Sequence, residues 1–175
     1  MRFLSLTGLL AACTSQETLE DSAAPNTVTQ YDVVDCVTGP AWSSHELTWR
    51  TQDNLLSVLG DNGVYAARAA FEMWSTEVTG LTFEESSIAD IEIGIFEGEH
   101  GYGKLFAFDG AGGVAGHAFD AGDPIAPGEV HLDADESWSD GPSYDTDLLD
   151  VQTVIAHEIG PVSYTHLTLP TSTHG

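Results

Sequence analysis

Residues 62–80, NGVYAARAAFEMWSTEVTG, set Val64, Ala67, Phe71, Trp74 and Val78 three or four positions apart. That period puts them on one stripe of an amphipathic helix closed by Gly80, and such a stripe has to be buried against another element. The segments around it are short and repeat every second residue. In HELTWRT, Leu47 and Trp49 alternate with polar residues, as in a half-buried strand. LTFEE and ADIEIGIFEG follow, and in the latter Ile91, Ile93 and Ile95 share one strand face. Two more strands, GVAGHAF and EVHLDAD, flank a loop rich in Gly, Asp and Pro. DLLDVQTVIAHEIG then returns to helical spacing, with Leu148, Val151 and Ile155 on its apolar side. The order β-α-β-β-β-β-α predicts an α+β domain, with two helices on a twisted, mostly parallel five-stranded sheet. No internal repeat is visible.

A chain of 175 residues, 42% hydrophobic, has room for one domain with a core. Its charge is lopsided: 28 Asp and Glu face 4 Lys and Arg, a formal net charge of -24. Such a field repels nucleic acid and anionic membrane surfaces and suits cations, although any one of these acids taken alone reads as solvated surface. The start, MRFLSLTGLLAACTS, is too short and apolar over too few residues to span a bilayer, and reads as an export signal over residues 1–12. Leu10-Ala11-Ala12-Cys13 resembles a bacterial lipobox, so Cys13 is expected to carry lipid, on an envelope lipoprotein or a released extracellular protein. Residues 13–40 are polar and unpatterned, a tether or short pro-segment. Cys36 is then the one remaining thiol, and it lacks the flanking arginine of an inhibitory cysteine switch. A monomer is expected.

Three patterns carry chemistry. His100 follows the strand ADIEIGIFEG, while His117 and His131 lie within the next two strands. Period-two alternation sends His131 and Asp133 to one face of EVHLDAD and Val130 and Leu132 to the other. A lone histidine means little, but three on neighbouring segments point to zinc, for which imidazole is a favoured ligand. In FDGAGG, Asp109 precedes Gly110, Gly112 and Gly113, glycines that let a backbone turn its carbonyls around a hard cation; Asp133 and Glu136 can complete a calcium shell. The same loop also reads as a plain glycine-rich turn. Last, His157-Glu158 follows an apolar helical run. In H-E-x-x-H, two histidines one turn apart hold zinc and the glutamate is the general base.

The ordered set LTWR, AFEMW, LTFEE, ADIEI, FDGAGGVAGHAF, GEVHLDADESW and VIAHEIG, from about Trp42 to Gly160, resembles a matrixin, the matrix-metalloproteinase-like branch of the metzincin zinc endopeptidases. The resemblance implies a metzincin-like catalytic domain over residues 41–160 lacking its C-terminal subdomain. It implies His100, His117 and His131 as ligands of a structural zinc. The family's fourth ligand, an aspartate, falls at Tyr102 here, which leaves three protein ligands, a ligand borrowed from Glu97 or Glu99, or no zinc. Asp109, the backbone of Gly110, Gly112 and Val114, and the carboxylates of Asp133 and Glu136 match a calcium site; Asp90 and Glu129 hint at a second. Gly113–Phe119 matches the sheet edge along which a protein or peptide substrate lies as an added strand. His157 matches the first catalytic-zinc ligand and Glu158 the general base.

The full signature needs histidines at positions 161 and 167, and Pro161 and Leu167 stand there, with Tyr164 between. Proline removes the amide that would reach the His157 carbonyl, so the helix is expected to end at Gly160. Residues 161–175 contain no Asp, Glu, Lys or Arg and read as a non-native tail. Two functions follow from these residues. One is an exported zinc metalloendopeptidase whose chain, with Pro161 and Leu167 in the zinc motif, is inactive; the other is a non-catalytic, calcium-stabilised peptide-binding module.

Overall fold

The structure is a computed structural model and describes residues 42–139, 141 and 148–164. The expected signal segment, Cys13, the tether with Cys36, and Leu167 with the tail from 165 onward lie outside the described residues. The elements are β1 (Glu46–Thr51), α1 (Asp53–Glu77), β2 (Thr82–Glu85), β3 (Ile91–Phe96), β4 (Gly116–Ala118), β5 (Glu129–Asp133), β6 (Trp138–Ser139), β7 (Leu149–Asp150) and α2 (Val151–Tyr164). Five strands form one sheet in the order β2-β1-β3-β5-β4, parallel throughout except for β4, which runs antiparallel to β5 at the edge. The expected α+β fold with a mostly parallel five-stranded sheet and two helices is what the chain adopts. Among the described residues, no helix is long and apolar enough to cross a membrane.

One sheet face meets the helices. Ile91, Ile93, Ile95, Val130 and Leu132 join Phe71 and Trp74 of α1 and Ile155 and Ile159 of α2 in one core. Each such side chain, taken fully out of water, contributes about 1.5–3 kcal/mol. Trp49 of β1 stacks on Phe71 with centroids 4.5 Å apart. The Trp74 indole N–H donates to the Ala156 carbonyl at 2.7 Å, tying α1 to α2 inside that apolar layer.

Helix boundaries differ from expectation at both helices. α1 begins at Asp53 rather than Asn62, with a break at Gly60, whose φ of 63° is left-handed. The period is hidden before the break because Leu56 and Val58 are exposed there. Leu148 is not on the apolar side of α2. It precedes the helix and is 37% exposed, because Leu149 and Asp150 pair with β6 before the helix starts. Nor does α2 end at Gly160; it runs to Tyr164. Proline's fixed φ near −65° is compatible with a helix, and what Pro161 removes is one amide donor. That loss does not end a helix anchored by buried Val151, Ile155 and Ile159.

Candidate metal centre and the His-Glu helix

Strand register assembles the histidines. The parallel β3–β5 pairing sets Gly94 beside His131, and the antiparallel β4–β5 pairing sets His117 directly opposite His131. Paired residues project to the same side, here the face away from the helices. His100 arrives from the loop after β3, which is closed by the Phe108 N–H donating to the Gly98 carbonyl at 3.0 Å. The ligand atoms of His100, His117 and His131 all lie within 4.8 Å of one another.

The protons can be assigned from their partners. His100 Nδ1 faces the Gly98 carbonyl at 2.8 Å and must donate, so its Nε2 is a bare lone pair. His131 Nε2 lies 2.8 Å from Glu129 Oε2 and donates to it, so His131 Nδ1 is bare as well. These two bare nitrogens face each other at 3.0 Å, and His117 Nε2 meets the same His131 Nδ1 at 3.2 Å. Lone pairs in such a cluster repel unless a cation lies among them. Burial, then the neighbouring His131 and His100, push His117 down to about 3; burial lowers His131 too. Neutral imidazole is the form that binds metal, and a histidine whose far nitrogen is held by a carboxylate or carbonyl is the usual supported ligand. The donor set therefore fits a zinc ion.

Aromatic rings enclose the cluster. Phe96 and Phe108 stack on His100 at 5.0 and 5.1 Å, and Phe119 meets His131 edge-on at 5.2 Å. Tyr102, where the family pattern has aspartate, points its hydroxyl elsewhere, donating to Glu129 Oε2 at 2.8 Å. Burial and that carboxylate raise Tyr102 to about 12. Glu99 accepts from the Gly101 and Gly103 amides within its own loop, and Glu97 is exposed. Neither is brought to the imidazoles. Glu129 supports His131, a role that sequence reasoning missed. The signal was present in Glu129-x-His131, two residues that period-two alternation places on one face.

The glycine-rich loop expected to hold calcium is gathered through its backbone. Asp109 Oδ1 accepts from the Val114 amide at 2.9 Å, while Glu136 Oε1 accepts from the Gly112 and Gly113 amides at 2.8 and 3.1 Å. A Cβ on Gly113 would lie 2.2 Å from both Asp109 oxygens, so only glycine fits. Gly110 and Gly112 both turn with φ of 86°. Asp133 is fully buried; its Oδ1 accepts from the Asp135 amide, and its Oδ2 has no partner. Burial raises its pKa, helped by the nearby charges of Asp135 and Glu136. An orphaned, buried carboxylate oxygen is the kind of atom a calcium ion satisfies. Asp109, Asp133 and Glu136 accept from different amides, and among the described residues they form no cluster of three ligand atoms; Asp90 and Glu129 are likewise not brought onto shared partners. The Asp90 carboxylate accepts from the Thr48 amide and hydroxyl, and that of Glu129 from Tyr102 and His131.

On α2, His157 and Glu158 sit below the sheet edge. Glu158 Cγ lies 3.4 Å from the point where Gly116 of β4 would carry a Cβ. Burial lowers His157 and raises Glu158 to about 7. Among the described residues His157 joins no cluster of three metal-ligating side chains. With proline at 161, the described residues do not fit a catalytic zinc.

Comparison with known proteins agrees with this geometry. The matrixin family model matches residues 41–164. Macrophage metalloelastase of Oryctolagus cuniculus is 40% identical over 100 residues, covering 57% of this chain and 21% of the relative. Matrilysin of Rattus norvegicus is 37% identical over 139 residues, covering 76% and 48%. Matrix metalloproteinase-18 of Xenopus laevis is 32% identical over 159 residues, covering 90% and 32%. The chain thus spans less than half the length of each of these relatives. Since the family model runs from the first strand through the His-Glu helix, and the sheet beneath it has the architecture the resemblance implied, the chain belongs to the matrixin family of metallopeptidases.

Proposed function

We propose that this chain derives from an exported zinc-dependent endopeptidase that cleaves proteins or peptides, with Glu158 as the general base, and that with Pro161 in the zinc motif it does not hydrolyse peptide bonds. The observation that carries the reading is Glu158, half-buried beneath the edge strand β4 with its pKa raised to about 7 by desolvation, where a carboxylate can both take and return a proton near neutral pH. A substrate segment would add itself along Gly113–Phe119, since β4 is the last strand of its sheet. In this chemistry a fully liganded zinc supplies an acidified water and a polarised carbonyl. Among the described residues the ligand set stops at His157, so no step is assigned to it. Zinc at the three imidazoles and calcium at Asp109, Asp133 and Glu136 support the scaffold. The N-terminal segment supports export, with Cys13 as lipid anchor, and the acidic surface supports a protein partner rather than nucleic acid.

The test is incubation of the purified 175-residue chain with an unstructured protein, with zinc and calcium present. No cleavage is expected. Cleavage abolished by a chelator would overturn the inactive reading, and His157→Ala would then have to abolish it too. Pro161 favours a second reading, a peptide-binding module without catalysis. Saturable binding of extended peptides, weakened by proline substitution at Ala118, would support it.

A further inference from the structure

We propose that the three-imidazole centre holds its metal with one coordination position left open to an exchangeable small ligand, either water or a small anion. The inference rests on the reading that His100, His117 and His131 bind zinc. Zinc in proteins is four-coordinate; four protein ligands make a closed structural site, whereas three leave a position for solvent. Among the described residues no fourth His, Cys, Asp or Glu joins this group. The nearby oxygen donors are committed elsewhere: the Tyr102 hydroxyl to Glu129, Glu129 Oε2 to His131 Nε2, and Glu99 Oε1 to two amides of its loop.

The centre is also reachable. His131 is buried, but His100 and His117 are partly exposed, and the loop beside them is exposed at Gly101, Gly103, Lys104 and Leu105. Phe96, Phe108 and Phe119 pack around the imidazoles.

Cobalt(II) reports the coordination sphere directly. The full chain, loaded with cobalt, is titrated with azide while its visible bands are followed. A saturable azide shift is expected in the wild type and in Tyr102→Phe. Tyr102→Asp, which offers a carboxylate donor from the position of the phenol, is expected to abolish the shift. His117→Ala, on the partly exposed edge strand, is expected to lose the bands, and His157→Ala to keep them; circular dichroism verifies that each variant folds. Cobalt retained by the wild type without an azide response overturns the open position alone. A phenolate-to-metal charge-transfer band present in the wild type and lost in Tyr102→Phe overturns it as well, by making the phenol the fourth ligand. If the wild type retains no cobalt, the three-imidazole reading falls and the proposal falls with it.

Discussion

Glu158 is an acid placed where ionisation is costly. Its pKa is about 7 in the folded chain against an ordinary 4.5, and burial is the cause. Between those values the folded state keeps a proton that the unfolded chain releases. Stability therefore falls as pH rises through this window, and the loss is complete above the folded value. Glu158→Gln cannot ionise. In metal-free buffer it is expected to melt with the wild type at about pH 4 and above it at about pH 8. Coincident melting at the higher pH would show that the carboxylate is well solvated. Glu129 acts differently, because its carboxylate holds His131 in the tautomer that turns Nδ1 toward the other imidazoles. Glu129→Gln is expected to weaken zinc binding about 10–100-fold, as measured by competition with a chromophoric chelator.

At the scale of elements, the contact between α1 and α2 fixes where the His-Glu segment lies. Gly160 crosses Trp74 so closely that an added Cβ would sit 3.1 Å from Cζ2 and 3.5 Å from Cη2. The indole cannot retreat, because its N–H is held by the Ala156 carbonyl. Alanine is favoured over glycine within a helix by about 1 kcal/mol, but overpacking costs about 1–3 kcal/mol. Overpacking wins here. Gly160→Ala is expected to lower stability by about 1 kcal/mol, read as a lower urea midpoint with an unchanged slope; an unchanged or higher midpoint would mean that the helices can shift apart.

For the whole molecule, the dominant force outside the core is self-repulsion. Of 4 basic residues, Arg50 pairs with Glu92 and Arg68 with Glu85, and both pairs are substantially exposed, worth up to about 1 kcal/mol each. A divalent cation bound at the glycine-rich loop, where Asp133 Oδ2 is buried without a partner, would relieve more of the charge. Calcium at 100 times its dissociation constant is expected to stabilise the fold by about 2.7 kcal/mol. Scanning calorimetry with magnesium as control checks this: a rise in Tm specific to calcium is expected in the wild type and not in Gly113→Ala, where the new Cβ would collide with the Asp109 carboxylate.

The sequence by itself determined the five strands of the main sheet, the two helices and the fold class, but not the short β6–β7 pair. Apolar periods of two and of three to four are local, and they survive without knowledge of what they pack against: Ile91, Ile93 and Ile95 read as one buried face and are one. It also pointed to the three histidines, because their residue type and strand positions are visible along the chain. Where local signals compete with distant ones, it misled. Pro161 suggested a helix end, yet packing through Ile155, Ile159 and Trp74 carries α2 past it. Only the tertiary structure decided which groups face each other. The antiparallel register sets His117 against His131, and the loop fold turns Tyr102 and Glu129 into support for the centre rather than its ligands. A one-residue slip in either strand would move each side chain to the opposite face, so register, a property of pairs of strands, lies beyond what any single segment encodes.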